Sequence, residues 1–177
     1  MRLFVALDLP WSVRARLADL GTGLIGARWT PPENYHLTLR FIGEVPRHVA
    51  EDLDATLAGV QARAFAIELA GVGVAEKAGR VSALWAGVTR NPALDHLRSK
   101  VEVALQRAGL PPERRRFIPH VTLARIAGAD AAKLAGWMQS HNLFRSAPVP
   151  VAHFTLFSSL LGKEQAAYTA EMDYPLL

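Results

Sequence analysis

Cysteine is absent from the 177 residues. Disulfides, thiolate metal sites, CxxC redox chemistry and a cysteine nucleophile are therefore excluded together. Long apolar runs are missing as well. The first, Leu3 to Leu7, stops at Asp8, short of a signal-peptide core, and nothing downstream approaches the ~18 apolar residues of a membrane span. A cytoplasmic protein with no membrane association is expected. No GxxxxGKS/T, GxSxG or HExxH segment occurs, and the histidines lack the clustered carboxylates of a metal site. Gly21-Thr22-Gly23-Leu24-Ile25-Gly26 has the spacing of a dinucleotide fingerprint, but it follows a predicted helix, where the fingerprint must follow a strand and open a helix. It reads as a helix end and turn. Neither a metal nor a cofactor is expected.

Lysine is also scarce: of 20 basic residues only four are Lys and sixteen are Arg, against 16 acidic residues, for a net charge of +4. Residues 1–88 carry nine charges of each sign, whereas residues 89–177 carry eleven basic and seven acidic. The excess thus sits in the second half, around Arg107, Arg114, Arg115, Arg116 and Arg125. Arginine suits phosphate because its planar fork donates two parallel hydrogen bonds. The composition, 50% hydrophobic and 20% charged, is that of a globular chain with a real core.

The order of elements repeats. Arg2 to Leu9 reads as a strand, followed by a helix bearing Val13, Leu17 and Leu20 and by a turn-rich stretch ending in Thr30-Pro31-Pro32-Glu33. Tyr35 to Ile42 is a strand, Val49 to Val60 a helix, and Phe65 to Val74 and Ser82 to Val88 further strands. Then Asn91-Pro92 opens a helix along Leu94, Leu97, Val101 and Ala108. Gly109 ends it, and Pro111-Pro112-Glu113 leads into a strand at His120 to Ile126. A helix near Asp130 to His141 and strands at Val149 to Phe157 and Ala167 to Tyr174 finish the chain. Each half therefore runs strand, proline-started helix, Pro-Pro-Glu loop and a strand carrying His-x-Thr-Leu. An α+β fold is expected, with residues 1–177 forming one domain of two duplicated lobes.

The duplicated strands, His36-Leu37-Thr38-Leu39 and His120-Val121-Thr122-Leu123, carry the candidate chemistry. Alternation puts His36 with Thr38, and His120 with Thr122, on one face, with the aliphatic residues on the other. If the lobes are related by a pseudo-twofold axis, two imidazoles and two hydroxyls meet across a cleft. In-line displacement at phosphorus needs one group to take a proton and another to supply one, and two histidines do this without a metal. The threonines are placed to hydrogen-bond the non-bridging oxygens. By the same parity Arg40 falls on the cleft face, as a candidate phosphate contact. Arg125 falls on the wrong face unless a bulge redirects it. Phe41, Phe117 and Phe157 are candidates for stacking on a base, and Phe4 and Trp85 are expected in the core. A third copy, His153-Phe154-Thr155-Leu156, lacks the Pro-Pro-Glu loop and is read as a cross-strand surface feature. Arg114 to Arg116 read as a solvated loop.

Tyr35-His36-Leu37-Thr38-Leu39-Arg40-Phe41-Ile42-Gly43-Glu44 and Pro119-His120-Val121-Thr122-Leu123-Ala124-Arg125 resemble the two signature motifs of the RNA 2′,3′-cyclic phosphodiesterases. These are also called 2′-5′ RNA ligases and belong to the two-histidine phosphoesterase superfamily. The resemblance extends to Arg2 to Leu7, Trp29 to Glu33, Leu84 to Val88, Pro111 to Arg115 and Phe154 to Phe157. It implies a bilobal fold with antiparallel sheets lining a central cleft and helices outside. It also implies metal-independent hydrolysis of a cyclic phosphate at an RNA end, tRNA fragments among them, to a 2′-phosphate, by a monomer. His36 would be the general acid, His120 the base, Thr38 and Thr122 the phosphate ligands, and Arg125 a further phosphate contact. Ligation to a 5′-hydroxyl would use the same site. Phe157-Ser158-Ser159 and Ile118 depart from the family pattern and bear on base or end preference. Two alternatives remain open at this point: a non-catalytic module binding RNA ends, and a cyclic phosphodiesterase of small nucleotides.

Overall fold

The computed structural model describes all of residues 1–177. Its strands are β1 (Arg2–Asp8), β2 (Ala27–Trp29), β3 (His36–Glu44), β4 (Phe65–Ile67), β5 (Leu69–Lys77), β6 (Arg80–Val88), β7 (His120–Ile126), β8 (Val149–Val151), β9 (His153–Leu161) and β10 (Ala166–Pro175). Its helices are α1 (Trp11–Ala18), α2 (Arg47–Ala58), α3 (Pro92–Arg107) and α4 (Ala131–His141). None of them is long and apolar enough to cross a membrane. Asn91 and Asp130 cap α3 and α4 by accepting from backbone N–H groups of the first turn, and Pro92 follows its cap at the first helical position. The glycine-rich segment from Gly21 to Gly26 is the turn between α1 and β2.

The fold is α+β, as expected. The antiparallel strands form one path, β10-β9-β1-β3-β7-β6-β5, with β2 added to β7 off that path and β4 paired with β8 apart from it. The strands of the two halves belong to one large sheet. The reason is local: β3 and β7 adjoin, antiparallel, through the single pair Leu37–Val121. About that pair the strand order mirrors itself. The run β9-β1-β3 on one side answers β5-β6-β7 on the other. Two long strands expected from the sequence are each broken, at Glu68 and Ala152, so that β4 and β8 can leave the large sheet and pair with each other.

One face of the sheet is the core. Leu37, Leu39, Leu84, Ala86, Val121 and Leu123 meet Leu53 and Leu57 of α2, Leu94, Leu97, Val101 and Leu105 of α3, and Leu134 and Trp137 of α4. Each fully buried leucine contributes about 2 kcal/mol of transfer free energy. Both His-x-Thr strands are pinned by their aliphatic residues to this layer, which leaves the alternate residues on the opposite face.

One charged pair lies inside that layer. Arg40 Nε donates to Glu102 Oε2 at 2.7 Å, and its Nη groups donate to the carbonyls of Phe41 and Pro111, both at 2.5 Å. Glu102 also accepts from Gln106 and from the Glu113 backbone N–H, each at 2.9 Å. Burial alone pushes the Glu102 carboxyl up, but these donors together hold it below the usual carboxylate range. Strand β3, helix α3 and the Pro111-Pro112-Glu113 loop are thereby bolted together. Removing one partner leaves a buried charge uncompensated, so Glu102→Ala is expected to cost about 3–5 kcal/mol, measured by denaturant unfolding. The double change Arg40→Met with Glu102→Leu should recover most of that loss.

Candidate active site

The histidines are held alike. His36 Nδ1 donates to the carbonyl of Asn34 at 2.8 Å, and His120 Nδ1 donates to the carbonyl of Ile118 at 2.6 Å. Each bond reaches two residues back along the chain. A carbonyl can only accept, so Nδ1 carries the proton in both rings and Nε2 is left for chemistry. The antiparallel register through Leu37–Val121 sets residue 36 opposite 122 and residue 38 opposite 120. His36, Thr38, His120 and Thr122 therefore share one face across the middle of the sheet. Both threonines are half-buried there.

Each histidine strand carries a β-bulge at the same place. Between β1 and β3 the register skips Leu39, and between β6 and β7 it skips Leu123, three residues after the histidine in each case. The bulge reverses the alternation beyond it. Leu39 and Arg40 are both buried and Phe41 emerges on the site face, 53% exposed; Leu123 and Ala124 are both buried and Arg125 emerges. The expected placement of Arg40 is thus overturned. Strict parity fails at the bulge, and its guanidinium is spent on Glu102. Arg125 faces the same side as His120 and Thr122.

The two flanks of the histidine pair differ. Around His36 lies an aromatic cluster: Phe4 with its ring centroid 4.8 Å away, Tyr168 edge-on at 5.2 Å, and Phe157 at 6.4 Å, stacked on Phe4 at 5.2 Å. Phe41 stands 6.1 Å from Phe4. Phe41, by way of the bulge, and Phe157 thus lie on the face of His36. Phe4 is buried as expected, but on this face rather than among the core aliphatics. Trp85 is a second correction. It lies opposite Thr122, half-buried, 5.9 Å from His120 and flat over Gly73, where a Cβ would come within 2.3 Å of its ring. Phe117 belongs elsewhere, under the guanidinium of Arg98 at 5.4 Å.

Arg14 is a residue the sequence reading passed over. Its Nε donates to the Leu9 carbonyl at 2.6 Å, Nη1 to the Pro32 carbonyl at 2.8 Å, and Nη2 to Asp8. It clamps the loop that delivers His36 much as Arg40 clamps the loop that delivers His120. The signal was present: Arg14 lies three residues before Leu17 on the apolar side of α1, where a charge must find partners. The third motif copy is engaged within its own strand pair. Thr155 spends its hydroxyl on Asp173 at 2.6 Å, and His153 lies 3.8 Å from the same carboxylate. Arg114, Arg115 and Arg116 are exposed. No three His, Asp or Glu side chains converge as metal ligands.

Burial pushes the pKa of His36 down, outweighing the bond to the Asn34 carbonyl; Arg14 and His120 push the same way and Asp8 opposes them. The free protein therefore holds His36 neutral near pH 7. In an NMR titration of the imidazole protons, His36 is expected to titrate below the ordinary ~6.5 and to move up when a phosphate ester fills the site. A value at or above ~6.5 in the free protein would contradict this account of its surroundings.

Comparison with known proteins agrees with the geometry. Residues 16–163 match the family model of the 2′-5′ RNA ligase superfamily. The RNA 2′,3′-cyclic phosphodiesterase of Aeropyrum pernix is 37% identical over 138 residues, which cover 77% of this chain and 78% of that one. The RNA 2′,3′-cyclic phosphodiesterase of Archaeoglobus fulgidus is 28% identical over 171 residues, 95% of this chain and 96% of that one. In fold, the chain superposes on the crystal structure of E. coli LigT complexed with 3′-AMP with a TM-score of 0.81 at 24% identity, covering 99% of this chain and 97% of that chain. With a family match over most of its length and paired His-x-Thr strands on one face, this chain belongs to the 2′-5′ RNA ligase superfamily.

Proposed function

We propose that this protein is an RNA 2′,3′-cyclic phosphodiesterase in which His36 and His120 act as a metal-independent acid–base pair. The observation that carries the reading is the matched state of the two imidazoles, each fixed through Nδ1 to a backbone carbonyl with Nε2 free on the same face. The curated relatives bear the name of the activity. Water attacks phosphorus as His120 Nε2 takes its proton. The bond to the 3′ oxygen breaks as His36 Nε2 protonates that oxygen, leaving a 2′-phosphate and a 3′-hydroxyl. Thr38 and Thr122 donate to the non-bridging oxygens, where charge accumulates. Arg125 adds a cation on the same face.

His36 is neutral before substrate arrives, so it takes up its proton as the anionic phosphate enters and raises its pKa. Asp8, opposite His36 across β1 and β3, favours the same change. The aromatic cluster around His36 offers the terminal base a stacking surface, with Phe41 and Phe157 at its rim. A 5′-hydroxyl in place of water would give a 2′-5′ linkage at the same phosphorus. The mirrored strand order about Leu37–Val121 supports reading residues 1–177 as one domain of two duplicated halves.

A short RNA ending in a 2′,3′-cyclic phosphate, incubated with EDTA, is expected to give the 2′-phosphate. Purified, folded His36→Ala and His120→Ala proteins should be at least ~100-fold slower. A wild-type rate in either variant, or activity restored only by one divalent ion, would overturn the mechanism. Salt-sensitive RNA binding without turnover would replace it with an end-binding module.

A further inference from the structure

Arg28 of β2 lies directly opposite Arg125 of β7, on the edge of β7 that β3 also uses. Directly opposed residues on neighbouring strands share a face, with Cβ atoms about 5 Å apart, and like charges so placed repel. The next pair, Trp29 opposite Ala124, turns to the core side, where Trp29 meets Trp137 of α4 at 6.0 Å. That leaves Arg28 and Arg125 on the face of His120 and Thr122. Neither makes an ion pair; the protein's salt bridges all lie elsewhere. The opposite neighbour of Arg125 on β6 is Ala83, and the single hydrogen bond from the Arg28 side chain goes to the Glu164 carbonyl at 3.3 Å. Gly26, Ala27, Arg28, Arg125, Ile126 and Ala127 line an open recess of about 420 Å³. Both arginines are exposed. Two opposed cations, neither of them ion-paired, form a place built for an anion from outside the chain.

The position says which anion. Thr122 and Arg125 are separated by two to three strand residues, roughly 7–10 Å at ~3.3 Å per residue, and Arg28 lies beside Arg125 on the edge of β7 that β3 also uses. A phosphate held between Thr38 and Thr122 leaves the recess about one nucleotide away. Phe41 and Arg125 follow their histidines by the same five residues, beyond matching bulges. One exit from the site is therefore aromatic and the other cationic. A terminal base stacked against the His36 aromatics sends the chain out past Arg125.

We propose that Arg28, beside Arg125, binds the phosphodiester on the 5′ side of the terminal nucleotide, so that the site is built for a polynucleotide end rather than a mononucleotide. This rests on the phosphodiesterase reading above and extends it to substrate length. The test compares adenosine 2′,3′-cyclic phosphate with the dinucleotide ApA carrying the same cyclic end, on wild type, Arg28→Ala and Arg28→Lys. Arg28→Ala should lower kcat/KM about tenfold more on the dinucleotide than on the mononucleotide. It should also flatten the salt dependence of dinucleotide turnover by roughly 0.7 in log–log slope, the loss of one single-strand phosphate contact. Arg28→Lys should recover part of the preference. Equal losses on both substrates, or none on the dinucleotide, would overturn the assignment while leaving the phosphodiesterase reading in place. A wild type that turns over neither substrate would overturn both.

Discussion

The pairing of Leu37 with Val121 is the constraint on which the site depends. It joins the two halves of the large sheet, and its register decides which residues face each other where they meet. Period-two alternation converts that one register into a site: the aliphatic partners go to the core, so the histidines and threonines go to the opposite face together. A slip of one residue in either strand would bury an imidazole in an aliphatic layer and expose leucine. The core therefore protects the chemistry by making any other register expensive. Chemistry and packing share the same two strands.

Around that centre the halves are alike in support and unlike in flank. Each histidine is fixed by a carbonyl two residues upstream, and each delivering loop is clamped by a buried arginine donating to a proline carbonyl, Arg14 to Pro32 and Arg40 to Pro111. Each arginine is in turn bonded to a carboxylate, Asp8 or Glu102. Fixed rings and clamped loops reduce the reorganisation needed at reaction. The flanks differ, with phenylalanines and a tyrosine around His36 and arginines beyond His120. Burial beside the aromatics also explains why His36 favours the neutral state before an anion arrives.

Much of this was legible in the chain itself. The repeated Pro-Pro-Glu and His-x-Thr segments, the order of helices and strands, and the face shared by His36 and Thr38 all follow from spacing. What failed was parity beyond the bulges. A bulge is set by how a strand meets its neighbours, and no residue near Leu39 or Leu123 announces one. Arg40 was therefore sent to the site and belongs to the core, while Arg125 reached the site by the bulge that parity alone would not supply. Phe4 and Trp85 were misplaced for a related reason: apolar residues in apolar strands look like core, but here they floor the face on which the histidines lie. Arg28 was hidden by the brevity of β2, whose three residues sit in a stretch that otherwise reads as turns.

The proposed mechanism requires one imidazole to supply a proton to the departing 3′ oxygen while the other takes one from water. Replacing that oxygen by sulfur in the cyclic phosphate gives a leaving group that needs no proton, and the rates of the His36→Ala and His120→Ala proteins on the two substrates separate the roles. His36→Ala is expected to regain most of its lost rate on the sulfur substrate while His120→Ala stays slow. Equal deficits for both variants on both substrates would contradict it.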